Sequence, residues 1–271
     1  MTDRRCTFAN TRVADIALRD IVEAATFVQP IKHRVTNWTT DICASPGGAR
    51  DRQLILGDGF EVIETHEGWC FGRSCKDGYV GYVLQGTLGD DFTPTHCVHN
   101  IATHAYVAPD MKSGDRTSLP FGASVLVTAE SEKFFETSAG FIPKQHLRDV
   151  ESPLSDPREV ARLYLGTPYL WGGNSPGGID CSGLVQAALL ACGRDCPGDS
   201  DQQQRFFDTP VTTRGPNQLY FWRGHVALSL SDTHIIHANA HAMAVTIEGL
   251  DDAIARIAAA GDGPVTGHVQ I

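Results

Sequence analysis

No stretch of this 271-residue sequence stays apolar for long enough to span a bilayer, so no helical anchor is expected within it. No apolar run follows the early arginines of MTDRRCTFANTRVADIALRD either. The N-terminus therefore does not read as a secretory leader, and a cytoplasmic location is the expectation. Basic residues are scarce: 22 Lys and Arg against 32 Asp and Glu give 22 − 32 = −10. A surface of that sign repels phosphate backbones and gains nothing from anionic lipid, which argues against nucleic acid and membranes as partners. The glycine-rich GGNSPGG at 172–178 lacks the Lys-Ser/Thr of a phosphate loop, and no GxGxxG occurs. The eight cysteines lack the paired two-residue spacing of a zinc ribbon, and with no export signal they read as free thiols. His96, His99 and His104 have no acidic or Cys partner at ligand spacing and read as surface residues. No metal or cofactor is expected.

What is present begins with turns. The 27 Gly and 14 Pro suit a β-rich chain, and the length allows two or three small domains. Residues 11–29 place Ile16, Ala17, Ile21, Ala24 and Ala25 close to helical spacing before Pro30, so residues 1–34 are expected to be a leading helical segment. Residues 35–91 alternate short apolar runs (QLIL, FEVIET, GWCFGR, YVGYVL) with Gly/Asp turns, the signature of a small barrel with Trp69 in its core. Residues 92–150 repeat the plan: LILGDGFEVIE answers to LPFGASVLVTA, and DGYVGYVLQGTL to SAGFIPKQHL. The two copies read as one module repeated at about 55 residues. ESPLSDPRE is a linker that opens a helix, with Asp156 as N-cap, Pro157 in the first position and Val160, Leu163 and Tyr164 on one face. A final domain over 151–271 continues with a long apolar helix, two strands and an Ala-rich helix.

The chemistry concentrates in that domain. In GTPYLWGGNSPGGIDCSGLVQAALLACG, a Gly/Pro-rich loop ends at Asp180 and Cys181 opens a helix bearing Leu184, Val185, Ala188 and Leu189. A cysteine in a first helical turn faces unpaired N–H groups and the positive end of the helix dipole, both of which favour the thiolate that acts as nucleophile. The plainer reading, a small buried hydrophobe, fits most cysteines. Downstream, WRGHVALSLSDTHIIHAN sets His225 at the start of one strand and His237 at the end of the next. A hairpin of that length makes them neighbours, one able to act as base and the other to orient it. His234 alternates to the opposite face. Trp171, beside the loop, fits either the core or a cleft wall.

PYLWGG, DCSGLV, DSDQQ, GHV and IHA, in that order, resemble the NlpC/p60 family of bacterial cell-wall cysteine peptidases over residues 157–271. QLILGDGFEVIE…GW…DGYVGYV and THAYVAP…LPFGA…GFIP resemble bacterial SH3-like domains. The resemblance implies an α+β architecture: two SH3-like β-barrels before a papain-like peptidase domain. It implies Cys181 as nucleophile, His225 as base, His237 as the residue orienting it, and Tyr169 as an oxyanion donor. It further implies substrate contacts by Asp180, Ser182 and Ser200, with Asp58 and Tyr79 of the first barrel near the substrate's free amine; Trp171 joins the substrate-contact candidates only by its place beside the loop. NQLYFW at 217–222 departs from the family's usual Gly-Asp-Leu. Two such barrels before the peptidase resemble γ-D-glutamyl-L-diamino-acid endopeptidases, which implies a murein peptide with a free N-terminal L-Ala as substrate. An amidase or acyltransferase on a related fold, or a protein that only binds wall fragments, remains as an alternative.

Overall fold

The structure, a computed structural model, describes residues 3–271. The chain divides into two compact units, Met1–Ser152 and Pro153–Ile271, close to the boundary expected near residue 150.

The first unit opens differently from expectation. Residues 11–29 do not form a helix: β1 (Val13–Asp15) pairs in parallel with β2 (Thr26–Val28), with a 3-10 turn at Ile16–Leu18 between them. Packing decides this. Phe8 and Val13 join Ile63, Phe71 and Val80 in one apolar cluster, while Ile16 and Ile21, the anchors of the supposed helical face, are 44% and 72% exposed. Docking against the neighbouring barrel outweighs weak helical periodicity.

The first barrel consists of β3 (Ile31–Val35), β4 (Thr39–Cys43), β5 (Arg50–Ile55), β6 (Gly59–His66), β7 (Trp69–Ser74), β8 (Val80–Leu84) and β9 (Leu88–Asp90). They form one sheet in the order β5-β4-β8-β7-β6-β3-β9. The second comprises β10 (His96–Val98), β11 (Ala102–Tyr106), β12 (Asp115–Pro120), β13 (Ser124–Val125), β14 (Val127–Glu130), β15 (Phe134–Thr137), β16 (Gly140–Pro143) and β17 (Leu147–Asp149). Substituting β10, β11, β12, β15, β16 and β17 for β3, β4, β5, β7, β8 and β9 reproduces the pairings of the first barrel; β6 is replaced by two pieces, β13 and β14. A 3-10 turn precedes the last strand in both, at Gln85–Thr87 and Lys144–His146. The internal repeat is real but longer than expected: Gly59 and Ser124 open equivalent strands 124 − 59 = 65 residues apart.

Each barrel has its own core. Val35, Ile42, Leu54, Phe60, Tyr79 and Val83 fill the first, and Val98, Leu119, Val125, Ile142 and Leu147 fill much of the second, joined there by Leu56 from the first module. Trp69 is half-buried rather than central. Where the modules meet, Gly57 has φ +84° and a Cβ there would overlap the Ser124 carbonyl, so backbone conformation and close approach both require glycine.

The second unit begins with α1 (Pro157–Leu163), capped by the Asp156 side chain as expected. Val160 and Tyr164 are buried; Leu163 is exposed, and Ala161 takes its place in the core. A tight hairpin, β18 (Asn174–Ser175) and β19 (Gly178–Ile179), leads into α2 (Cys181–Ala191), which is buried on nearly every face. After α3 (Ser200–Phe206) come β20 (Gln218–Trp222), β21 (His225–Ser229), β22 (His234–Asn239), β23 (Ala244–Gly249), α4 (Leu250–Ala259) and β24 (Gly267–Gln270). The five strands form one antiparallel sheet, β23-β22-β21-β20-β24, not the two-stranded element expected. α2 packs against β21 and β22, and α4 lays Leu250, Ala253 and Ile257 on Tyr220, Trp222, Ala227 and Ile235. Asn217, at φ +57°, enters fully buried β20 in the left-handed region that Asn tolerates. The result is the α+β architecture expected.

Candidate active site

The first element of the site is the N-terminus of α2. Asp180 is its N-cap, with Oδ1 accepting from Gly183 N at 2.6 Å and from Ser182 Oγ at 3.0 Å. Oδ2 accepts from Gly172 N at 3.0 Å, so one carboxylate ties the glycine-rich loop to the helix start. Cys181 is the first helical residue and is 7% exposed. The start of α2 is also tied to α3: Gln203, fully buried, donates from Nε2 to Ser182 O and to Pro197 O, both at 2.9 Å. Nothing in the sequence singled out Gln203 within DSDQQ.

The second element is Tyr169. Its backbone bridges in parallel to Ile179, two residues before Cys181, and its N–H donates to Met243 O at 2.9 Å. Burial, then the nearby charges of Cys181 and Asp180, push the phenol's pKa up. The hydroxyl therefore stays protonated through the neutral range and remains a donor toward developing negative charge.

The third element runs diagonally across three strands. Leu228 pairs with Ile236 and Ser229 with Ile235; continuing that β21–β22 register sets Ala227 opposite His237, so His225, two residues away on the same face, is a diagonal neighbour of His237. His225 Nε2 and His237 Nδ1 are 2.9 Å apart. On β23, Thr246 lies opposite His237, and Glu248 is again two residues along. His237 Nε2 and Glu248 Oε2 are 3.0 Å apart, and Arg256 of α4 donates to both Glu248 oxygens at 2.9 and 2.6 Å. His234 points out to solvent, as alternation requires.

This row fixes the tautomers. The Arg256 hydrogen bonds hold the Glu248 carboxyl below its usual range, so it is ionised and can only accept. His237 must then carry its proton on Nε2. Burial pushes the His237 imidazole down to about 4, against the pull of Glu248. Burial, with His237 and Arg256 adding to it, pushes His225 down to about 3. Both rings are neutral near pH 7, so His237 Nδ1 is bare and accepts from His225 Nε2–H. That leaves His225 Nδ1 unprotonated, the state required of a general base. Glu248 and Arg256 escaped sequence reasoning because only the β22–β23 pairing brings them to His237.

Tyr169 joins the two halves. It neighbours Cys181 and also shares with His225 the wall of a cavity of about 430 Å³. Trp222 lies opposite His225 on β20, its ring centroid 5.7 Å from the imidazole.

The remaining expected residues divide. Ser182 is buried at the start of α2, and half-buried Ser200 opens α3. Trp171 is 67% exposed, which removes the core reading. Two residues of the first barrel are already engaged within it. Asp58 Oδ2 holds Lys76 Nζ at 2.6 Å and accepts from Ile55 N at 2.9 Å, so its carboxylate already has a cation. Tyr79 is 3% exposed and lies in the first barrel's core with Val35, Phe60 and Val83. No cluster of metal-ligating side chains occurs among the described residues. No helix of the described residues is long and apolar enough to cross a membrane.

Residues 166–258 match the NlpC/P60 family, and residues 42–88 match the bacterial dipeptidyl-peptidase Sh3 domain. Dipeptidyl-peptidase 6 of Lysinibacillus sphaericus is 38% identical over 96 residues, 35% of this chain and 35% of that protein. The chain thus spans about a third of that relative's length. The gamma-D-glutamyl-L-lysine dipeptidyl-peptidase of Bacillus subtilis (strain 168) is 25% identical over 200 residues, 67% of each chain. A solved structure of an NlpC/P60 family protein from Bacillus cereus ATCC 10987 superimposes with a TM-score of 0.73 at 18% identity, over 89% of this chain and 99% of that one. That likeness is one of fold. The second unit thus carries a segment that matches the NlpC/P60 family, and it follows two barrels of a single pairing plan, the first of which matches the bacterial Sh3 domain.

Proposed function

We propose that the protein is a cysteine endopeptidase that hydrolyses the γ-D-glutamyl–L-diamino acid bond of murein peptides. The observation that carries this reading is the row His225–His237–Glu248, which leaves His225 bare at the nitrogen that must take the thiol proton. The Cys181 thiol gives its proton to His225 Nδ1, and the thiolate attacks the γ-carbonyl carbon. The oxyanion takes hydrogen bonds from the Cys181 N–H and the Tyr169 hydroxyl. As the tetrahedral adduct collapses, the C–N bond breaks and His225 returns the proton to the leaving amine. Water, deprotonated by His225, then cleaves the thioester and regenerates the thiol.

Substrates with a free N-terminal L-Ala are the preferred class in this reading. The dipeptidyl-peptidase names of the two bacterial relatives support it. With Asp58 engaged by Lys76, the amine falls to the Asp180 carboxylate and Ser182 at the start of α2, with Ser200 and Trp171 along the same peptide. We assign the enzyme to recycling of released wall peptides in the cytoplasm. The thiols of Cys43, Cys70, Cys75 and Cys97, which are free, suit that reducing compartment. Incubation with L-Ala-γ-D-Glu-meso-diaminopimelate should release L-Ala-D-Glu by mass spectrometry, and N-acetylation of the L-Ala should suppress it. Cleavage elsewhere, or equal turnover of the blocked peptide, would contradict the corresponding part of the reading.

A further inference from the structure

The cavity beside His225 has a charge character at odds with the rest of the chain. Its wall carries Arg223, His241 and Arg256, with Asp262 as its acidic member, in a protein whose formal charge is −10. Arg256 is engaged by Glu248. Arg223 and His241 are exposed, and neither has an ion pair among the described residues. Arg223 and Gly224 form the two-residue turn between β20 and β21, with Gly224 at φ +77°, so Arg223 immediately precedes the Gly-His225 step.

The chemistry of the proposed reaction says which part of a substrate meets this wall. During acylation the acyl half of the peptide becomes bonded to Cys181 and stays on the α2 side. The leaving nitrogen is protonated by His225 and so must lie on the imidazole side. The cavity has Tyr169 and His225 on its wall and continues past them along the Arg223 turn, residues 239–241 and the end of α4. It is therefore positioned to receive the leaving amino acid. Resting on the function proposed above, we infer that this pocket binds a carboxylate of the leaving diamino acid, with Arg223 as its main partner and His241 assisting. Such a carboxylate has two sources: the α-carboxylate of a C-terminal diamino acid, or the second carboxylate that diaminopimelate has and lysine lacks. Asp262, on the same wall, suits the free side-chain ammonium that diaminopimelate and lysine both carry.

Three peptides separate the sources: L-Ala-γ-D-Glu-meso-diaminopimelate, L-Ala-γ-D-Glu-L-Lys, and the C-terminal amide of the latter. An α-carboxylate contact predicts that amidation lowers kcat/KM about tenfold, and a distal contact predicts a similar advantage of diaminopimelate over lysine, as expected for losing one charge-assisted pair. Arg223→Gln should erase whichever ratio is seen, mainly through KM, and Arg223→Lys should restore part of it. Equal turnover of all three peptides, or a parallel loss on all three in Arg223→Gln, overturns this inference and leaves the endopeptidase reading intact. Turnover of none by the folded wild type removes both.

Discussion

Cys97 in the second barrel and Cys181 in the second unit are almost equally buried, 6% and 7% exposed, yet they sit in opposite electrostatic settings. Cys97 lies within β10, paired on both sides with β13 and β17, and burial pushes its thiol pKa up. Cys43 and Cys70 sit in strands of the first barrel with the same upward shift for the same reason. Cys181 instead opens a helix, where backbone N–H groups lack intrahelical partners and the dipole is positive. The difference teaches that exposure does not separate the proposed nucleophile from the barrel thiols. What separates it is the direction in which the surrounding backbone dipoles point.

The largest effect should come from removing that thiol. Cys181→Ala should lower turnover of the murein tripeptide by at least about 10³-fold, whereas Cys97→Ala should stay within about twofold. Mass-spectrometric product assays on both variants decide it, and retained activity in the first would dissolve the contrast. Next is the row behind the base. Glu248→Gln keeps the shape and an acceptor but removes the charge that fixes the His237 tautomer. A drop in kcat of about 10- to 100-fold with little change in KM is expected, and steady-state kinetics alongside circular dichroism separates this from misfolding. Third, limiting iodoacetamide at pH 7 should label Cys181 at least about tenfold faster than Cys70 or Cys97 in the native protein, read by peptide mapping.

The smallest effect is on stability. His237 is held neutral in the fold with a pKa of about 4, while the unfolded chain titrates near 6.5. Below pH 6.5 the unfolded chain takes up the proton first, so stability falls as pH drops from 6.5 toward 4. By pH 5 the loss from His237 is of order 2 kcal/mol. Thermal melts from pH 7 to pH 5 should show the midpoint falling, with a shallower slope in His237→Asn; identical slopes would place the pH dependence elsewhere.

Much of the site was legible because its signals are local. A capping Asp before a cysteine before Leu184, Val185, Ala188 and Leu189 reads as a helix start from adjacent residues alone. His225 and His237 need only one hairpin to become neighbours. The barrels were legible as alternation and turns, and their repeat as self-similarity, although insertions stretched its period. The leading helix failed because the spacing of Ile16 and Ile21 carried no packing partner, while Phe8 and Val13 had one in the barrel beside them. That Tyr79 turns into the barrel core was not legible, because matching a position by resemblance does not reveal which way the side chain points.

The sequence by itself determined the order of domains, the capped helix that begins at Cys181 and the hairpin that makes His225 and His237 neighbours. Each depends on residues close along the chain, where propensity, capping and alternation act. Only the tertiary structure decided that Glu248 and Arg256 stand behind His237, that Gln203 holds the start of α2, and that Lys76 already occupies Asp58. The first two join residues brought together by sheet register or by helices folding back. The third depends on how a barrel closes, and hydrogen bonds of that kind exist only after the strands have paired.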